Sequence, residues 1–283
     1  MKVSLRGQGI WLYLKKGKVH LVGLVLIFLI LLLALSAPFL VPFEPSSENL
    51  REACLPPDTK HLLGTDELGR DVFSRVLYGA RISLVVGCGS ALFSILIGFG
   101  LGLISGYIGG KIDSLIMRLV DVTLAFPSLL LAIGISCVLP RGLLAVIIAL
   151  SVVGWASFAR ITRGIILSIK EEPFVEAAVS LGSSNTRILF IHLLPHTIPM
   201  VMVLGAMRIS TFILAESGLS FLGLGVPPPT PSWGGMVSQG ADFIRTAPWI
   251  SLFPGMAIAL TVVAFNLLGD GLADFVSPKF RKL

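Results

Sequence analysis

Charge is what this chain has least of. Only 13% of its 283 residues are Asp, Glu, Lys or Arg, while 54% are hydrophobic and the mean hydropathy is +0.91. A soluble globular domain carries about 25% charged residues, so this composition excludes one and predicts an all-α membrane protein with the bilayer as its solvent. Cysteine is scarce too. Cys54, Cys88 and Cys137 stand far apart without C-x-x-C spacing, which excludes a disulfide framework and a thiolate metal site. The four histidines, at 20, 61, 192 and 196, fall at or outside the ends of the apolar runs, so no imidazole metal site is expected midway across a membrane. No stretch interleaves basic and aromatic residues, so the net charge of +6 speaks to membrane orientation and not to nucleic acid. A phosphate-cradling G-x-x-x-x-G-K-[ST] loop is missing as well. Gly110-Lys111 is followed by Ile112, which has no hydroxyl for magnesium, and Gly17-Lys18 fails at Leu12 and Val19. Serines such as Ser94 and Ser151 have no neighbouring His and acid, so no catalytic residue, bound cofactor or metal is expected on this chain.

What is present is a set of six long apolar runs, Leu21 to Val41, Ile82 to Ile108, Val122 to Leu139, Leu143 to Ala159, Pro199 to Leu222 and Pro248 to Gly269. Each can cross a hydrocarbon core as a helix of about 20 residues. The first ends near Leu35-Ser36-Ala37, which imitates a cleavable signal, but its length favours an uncleaved anchor. Six crossings put both termini on one side. With that side cytoplasmic, inside segments hold 14 Lys/Arg and outside segments seven, with Arg208 left inside the membrane. The positive-inside rule therefore predicts cytoplasmic termini. The organisation is a cytoplasmic segment 1–20, a transmembrane domain 21–271 and a cytoplasmic tail 272–283. External segments are expected at about 42–81 and 223–247, and a cytoplasmic loop at about 170–199.

The external segment 42–81 is acidic. Its stretch Leu63-Gly64-Thr65-Asp66-Glu67-Leu68-Gly69-Arg70-Asp71 has Gly at two turn points and a Thr/Asp pair able to cap the following helix. An interfacial turn leading into the second span is one reading. Contact with an external partner, through Asp66, Arg70 and Asp71, is the other. Pro227-Pro228-Pro229-Thr230-Pro231 cannot continue a helix, and Trp233 and Trp249 suit a membrane interface, so 223–247 reads as a rigid external cap.

The loop 170–199 is patterned as a surface for another protein. Glu171 and Glu172 precede Pro173, a residue suited to the first helical turn. Phe174, Ala177, Ala178 and Leu181 then fall at i, i+3, i+4 and i+7, an apolar stripe with small residues in its middle. Gly182 stands where a left-handed C-terminal cap is expected. Ser183, Ser184 or Asn185 can cap a second short helix from about Thr186 to Leu194, and Pro195 and Pro199 bracket the start of the fifth span. A helix lying on the membrane surface would carry larger apolar residues and a lysine-rich polar face.

Two charges, Arg208 and Glu216, lie within the fifth span, where charge is costly. They are candidates to line a passage or contact a partner subunit, with an internal ion pair or snorkelling as the structural alternative. Arg118 and Asp121 are spaced to pair at i, i+3. Gly98 and Gly102 have the small-xxx-small spacing of close helix contacts.

Glu176-Ala177-Ala178, Gly182 and Pro195, at these spacings, resemble the EAA loop of permease subunits in bacterial ATP-binding-cassette importers. His192 replaces the usual isoleucine, which resembles the peptide-importer branch. His61 to Asp66 with Gly69-Arg70-Asp71, Gly106 to Gly110, Glu216 to Gly225 and Ala264 to Asp270 extend the resemblance over nearly the whole chain, to the second permease subunit of dipeptide, oligopeptide and nickel importers. The resemblance implies the six-helix type I permease fold, with Glu176, Ala177, Ala178, Gly182 and Pro195 coupling to an ATPase. It implies a bacterial inner-membrane location and, besides membrane lipid, three kinds of partner: a homologous permease subunit, two ATPase subunits carrying ATP and Mg, and an external substrate-binding protein. Peptide import is the expected activity; nickel or another small solute is the alternative, and an ion-coupled secondary transporter is a more distant one.

Overall fold

The computed structural model describes residues 5–276, with side chains from His20 onward. The basic side chains expected at the termini, Lys2 to Lys18 and Lys279, Arg281 and Lys282, lie outside the described residues. Everything regular among the described residues is helical, and the one β-bridge, Thr65 to Asp71, is isolated.

The long helices are α1 (Leu5–Leu40), α2 (Val72–Ile108), α3 (Gly110–Ala125), α4 (Ser128–Val138), α5 (Leu143–Lys170), a short α6 (Pro173–Ser180), α7 (Asn185–Phe221), a short α8 (Trp233–Gly240) and α9 (Trp249–Val276). Five of them are long and apolar enough to cross a membrane, and the pair α3–α4 makes a sixth crossing if counted as one. Several run past the apolar cores expected from the sequence: α1 begins at Leu5, α2 at Val72, and α5 continues to Lys170.

The third expected span, Val122 to Leu139, is not one helix. It breaks between Ala125 and Ser128 with a 94° bend. Pro127 causes the break: a residue before proline is pushed out of the helical region, and Phe126 sits at φ −88°, ψ 140°. α4, at 11 residues, is too short to cross a hydrocarbon core alone.

The chain divides into two compact units, one of residues 1–84 and 228–283, the other of 85–227, with the boundary inside α2. In the first unit α1 packs along α9. A Cβ on Gly23 would stand 2.6 Å from Leu267 Cβ, and His20 Nε2 meets Asp274 Oδ2 at 3.2 Å. In the second unit Val86, Val146, Leu150, Phe212 and Leu219 form the main core. Lipid is as apolar as leucine, so burial drives little here and close van der Waals approach must hold the helices. Gly98, Gly102 and Gly106 supply that approach: a Cβ would lie 2.3 Å from Trp155 O at Gly98, and 2.5 Å from Ala159 O at Gly102. Large exposed apolar side chains such as Phe28, Leu96, Leu130 and Leu260 cover the lipid-compatible faces.

Candidate functional site

The loop 170–199 begins as its sequence dictates. Pro173 opens α6, Glu172 precedes it in extended conformation, and Glu176 lies in the first turn. Gly182 takes φ +77°; its N–H donates to Val179 O at 2.9 Å and that of Ser183 donates to Ala178 O at 3.1 Å. This pair of bonds is the Schellman cap, which satisfies carbonyls that would otherwise end the helix unpaired. The Ser184 hydroxyl accepts from the Arg187 N–H and starts the next helix.

The second short helix expected from Thr186 to Leu194 does not end before the membrane. It is the first part of α7 and passes through a π-turn at Ile188–Leu193, where the Leu194 N–H donates to Leu189 O. Pro195 favours the wide turn, because it cannot donate to the carbonyl of Ile191 four residues back. Pro195 therefore lies within the helical start of α7 and does not separate two helices.

α6 packs with a different face from the expected stripe. Val175 is buried in a cluster with Ile166, Ile188 and Leu193, and Ala178 is buried as well. Ala177 is exposed and Leu181 is 86% exposed, while Phe174 lies against His196 with ring centroids 5.1 Å apart. The outward face thus carries Glu176, Ala177, Val179 and Leu181, with a cleft of about 690 Å³ alongside, lined by Tyr107, Lys170, Glu176, Val179 and Asn185. The base of the loop is tied by ions. Arg163 grips Asp113 with two bonds of 2.6 Å, Ser105 also donates to Asp113, and Lys170 Nζ donates to Tyr107 O at 2.9 Å. The expected Arg118–Asp121 pair does not form: Asp121 binds Arg160, since a partner on the packed neighbouring helix fixes a better geometry than a same-helix side chain.

In α7, Glu216 is fully buried and accepts from Ser220 Oγ at 2.7 Å. Arg208 is half-buried and lines a cavity shared by α3, α4, α5 and α7. Eight residues, about 12 Å of helical rise, separate the two charges.

In the first unit, Asp66, Arg70 and Asp71 are all 2% exposed. Asp66 accepts from the N–H groups of Leu68 and Arg70 and from Arg70 Nε at 2.7 Å, and Arg75 Nε lies 3.3 Å away. Arg70 and Arg75 both reach Gln239 Oε1, and Arg75 also donates to Pro45 O. Asp71 receives the Ser74 N–H and hydroxyl and faces His61 Nδ1 at 2.9 Å. The N-cap of α2 is therefore Asp71, and the Thr65 hydroxyl, expected as part of a cap, instead joins Leu55 to Glu52. Gln239 and Arg75 were not singled out in the sequence, and Trp249, expected there at a membrane interface, donates from Nε1 to Thr65 O at 3.0 Å. On the rim, the bond from Lys60 holds the Glu52 carboxyl below the ordinary carboxylate range, the His61 N–H does the same for Asp58, and burial pushes the Cys54 thiol up.

Residues 98–282 match the family described as binding-protein-dependent transport system inner membrane component, and residues 6–57 match the N-terminal TM domain of oligopeptide transport permease C. The chain is 42% identical over 285 residues to the oligopeptide transport system permease protein OppC of Bacillus subtilis (strain 168), covering 99% of this chain and 93% of that one. It is 44% identical over 276 residues to the dipeptide transport system permease protein DppC of the same organism, covering 97% and 86%. It is 42% identical over 261 residues to the glutathione transport system permease protein GsiD of Pectobacterium atrosepticum, covering 90% and 86%. An inward-facing structure of the MetNI methionine ABC transporter has the same fold at 19% identity, with a TM-score of 0.61 over 72% of this chain and 97% of that one.

Proposed function

The chain belongs to the binding-protein-dependent transport system inner membrane components, and from that premise we propose that it is one permease half of an ATP-driven importer of di- or oligopeptides. The observation that carries this reading is α6: an eight-residue helix opened by Pro173 and closed by the cap at Gly182, with Leu181 86% exposed and Ala177 beside it. A short helix held rigidly by Val175 and Ala178, yet presenting small and apolar residues outward, suits a groove in another protein. Its intended occupant is an ATPase subunit, two of which hold ATP and Mg for the complex. Glu176, Ala177, Ala178 and Gly182 form and shape the contact, with Pro195 setting the start of α7 behind it.

A homologous permease completes the pore across the bacterial inner membrane, and an external binding protein delivers peptide. Both termini are cytoplasmic in this reading. Asp66, Arg70 and Asp71 act on that binding protein indirectly, by holding the shape of the segment whose exposed residues touch it. Peptide is favoured over nickel by the similarity to oligopeptide, dipeptide and glutathione permeases.

Deletion of this chain should abolish uptake of labelled di- and oligopeptides, restored by the intact gene and not by Gly182→Val. Unchanged peptide uptake with lost nickel accumulation would favour the nickel reading. In an otherwise cysteine-free chain, an impermeant thiol reagent should label a cysteine at the exposed position 59 or 230 in intact cells and spare one at 180; the reverse pattern would invert the topology.

A further inference from the structure

The cavity beside Arg208 draws polar side chains from four helices. Five of its side chains are polar: Thr123 from α3, Ser128 from α4, Ser157 from α5, and Arg208 and Thr211 from α7, with Phe212 among the apolar ones. Hydroxyls in membrane helices usually donate back to a carbonyl three or four residues earlier. Ser36, Ser114, Thr123, Ser151, Thr197, Ser217 and Thr261 all do so here. Among the described residues, Ser128, Ser157 and Thr211 make no hydrogen bond, and Arg208 has no acidic partner. Three free hydroxyls and an unpaired guanidinium, meeting from three helices, are a donor set without its acceptor.

The break at Pro127 adds to this set. Ser128 begins α4, so the first-turn N–H groups of that helix, which have no intrahelical partner, start at the cavity wall. An anion is therefore the chemistry that fits. A guanidinium binds a carboxylate through two parallel bonds, and adjacent hydroxyls can donate to the remaining lone pairs. The cavity, about 90 Å³, takes a handful of waters or one carboxyl group, and is too small for a whole peptide.

We infer that this cavity receives the C-terminal carboxylate of the peptide in transit. The inference rests on the peptide-importer reading above. A passage that accepts varied side chains can grip only what all peptides share, and the terminal carboxylate is the one constant anion. Buried Glu216 does not line the cavity and has no part in the site.

The test uses the complete transporter with its unaltered binding protein, whose own preference cancels between variants. Uptake of labelled trialanine is compared with that of trialanine amide. Arg208→Gln should lower the acid-to-amide ratio about tenfold, and Arg208→Lys less, because a lysine keeps the charge and loses the paired geometry. Ser157→Ala and Thr211→Val should each lower it several-fold. In the purified complex without binding protein, a cysteine placed at Ala215 in an otherwise cysteine-free chain should be protected from a maleimide by millimolar trialanine and not by the amide. Arg208→Gln should abolish that protection.

An unchanged ratio with peptide uptake intact overturns the inference. If Arg208→Gln prevents assembly with the partner permease, the Ser157 and Thr211 variants decide: a preserved ratio there makes Arg208 a subunit contact and overturns the site. Absence of any peptide uptake by the natural transporter would break the importer reading itself, a result distinct from peptide uptake whose ratio ignores Arg208.

Discussion

Two polar segments of this chain use their residues in opposite ways. Around Asp66 the charges are turned inward: Asp66, Arg70, Asp71 and Arg75 are 2% exposed and tied to one another, to Gln239 and to the backbone. In α6 the charges and several apolar groups are turned outward, and only Val175 and Ala178 are buried. The first arrangement makes a rigid shape, since a buried ion with a lost partner is costly. The second leaves a surface that is finished only by another protein. The same sequence feature, a left-handed glycine, differs in the same sense. A Cβ at Gly69 would stand 1.8 Å from Asn49 O, whereas one at Gly182 meets nothing within 4 Å.

The largest expected effect is therefore in the first segment. Asp66→Asn leaves Arg70 and Arg75 without their shared carboxylate and should cost about 3–5 kcal/mol, the range for breaking a buried ion pair. Thermal unfolding of the purified complex in detergent would read it, and an unshifted melting temperature would mean that the network is not structural. Gly69→Ala should follow, at about 2–4 kcal/mol, combining φ strain with a backbone collision that cannot relax.

Gly182→Val tests the other side of the comparison. Its strain, about 1–2 kcal/mol, falls on the end of one short helix and should hardly move the melting temperature. Peptide uptake should nonetheless fall while ATP hydrolysis continues, and Gly182→Asn, which tolerates the left-handed region, should keep most of the uptake. A Gly182→Val protein that melts like Gly69→Ala but couples normally would erase the distinction between the two regions.

Much of this was legible in the sequence, and the exceptions share a cause. Pro173 at the start of α6 and Gly182 at its end depend on backbone preference alone, and the structure places them as expected. The buried face of α6 depends on what packs behind it; with both Phe174 and Val175 apolar, eight residues contain no periodicity strong enough to choose. The bend at Pro127 was masked by an apolar run that continues across it. Pro195 and Pro199 were read as bracketing the start of the fifth span, whereas the wide turn before Pro195 lets the helix run on through both. Gln239 lies 169 residues from Arg70, and no local spacing could have joined them. The free hydroxyls around Arg208 were invisible for the same reason.

A smaller effect is expected on the outward face of α6. Leu181→Asp should weaken association with the ATPase about tenfold, the loss of a modest interface anchor, and Glu176→Lys a few-fold through the rim charge. Neither should change thermal stability, because neither side chain is buried. Co-purification of the ATPase at graded salt would read both; normal retention in the two variants would remove α6 from the interface.

The smallest effect concerns the exposed rim of the first segment. Glu52, bound by Lys60, and Asp58, bound by the His61 N–H, are both held below their ordinary values. A carboxyl depressed in the folded state stabilises it fully above the unfolded value, about 4, and loses that contribution as pH falls through the lower folded value. The melting temperature should thus be insensitive to these two groups from about pH 7 to 5 and should respond to them only below about pH 4. Since both groups face solvent, the dependence is small and weakens with salt. Glu52→Gln with Asp58→Asn should flatten the acid limb relative to the natural protein while leaving the neutral plateau almost level with it. A double variant with an unchanged acid limb would show that neither rim carboxyl contributes to acid stability, and would leave the solvated edge of this segment without an energetic role of its own.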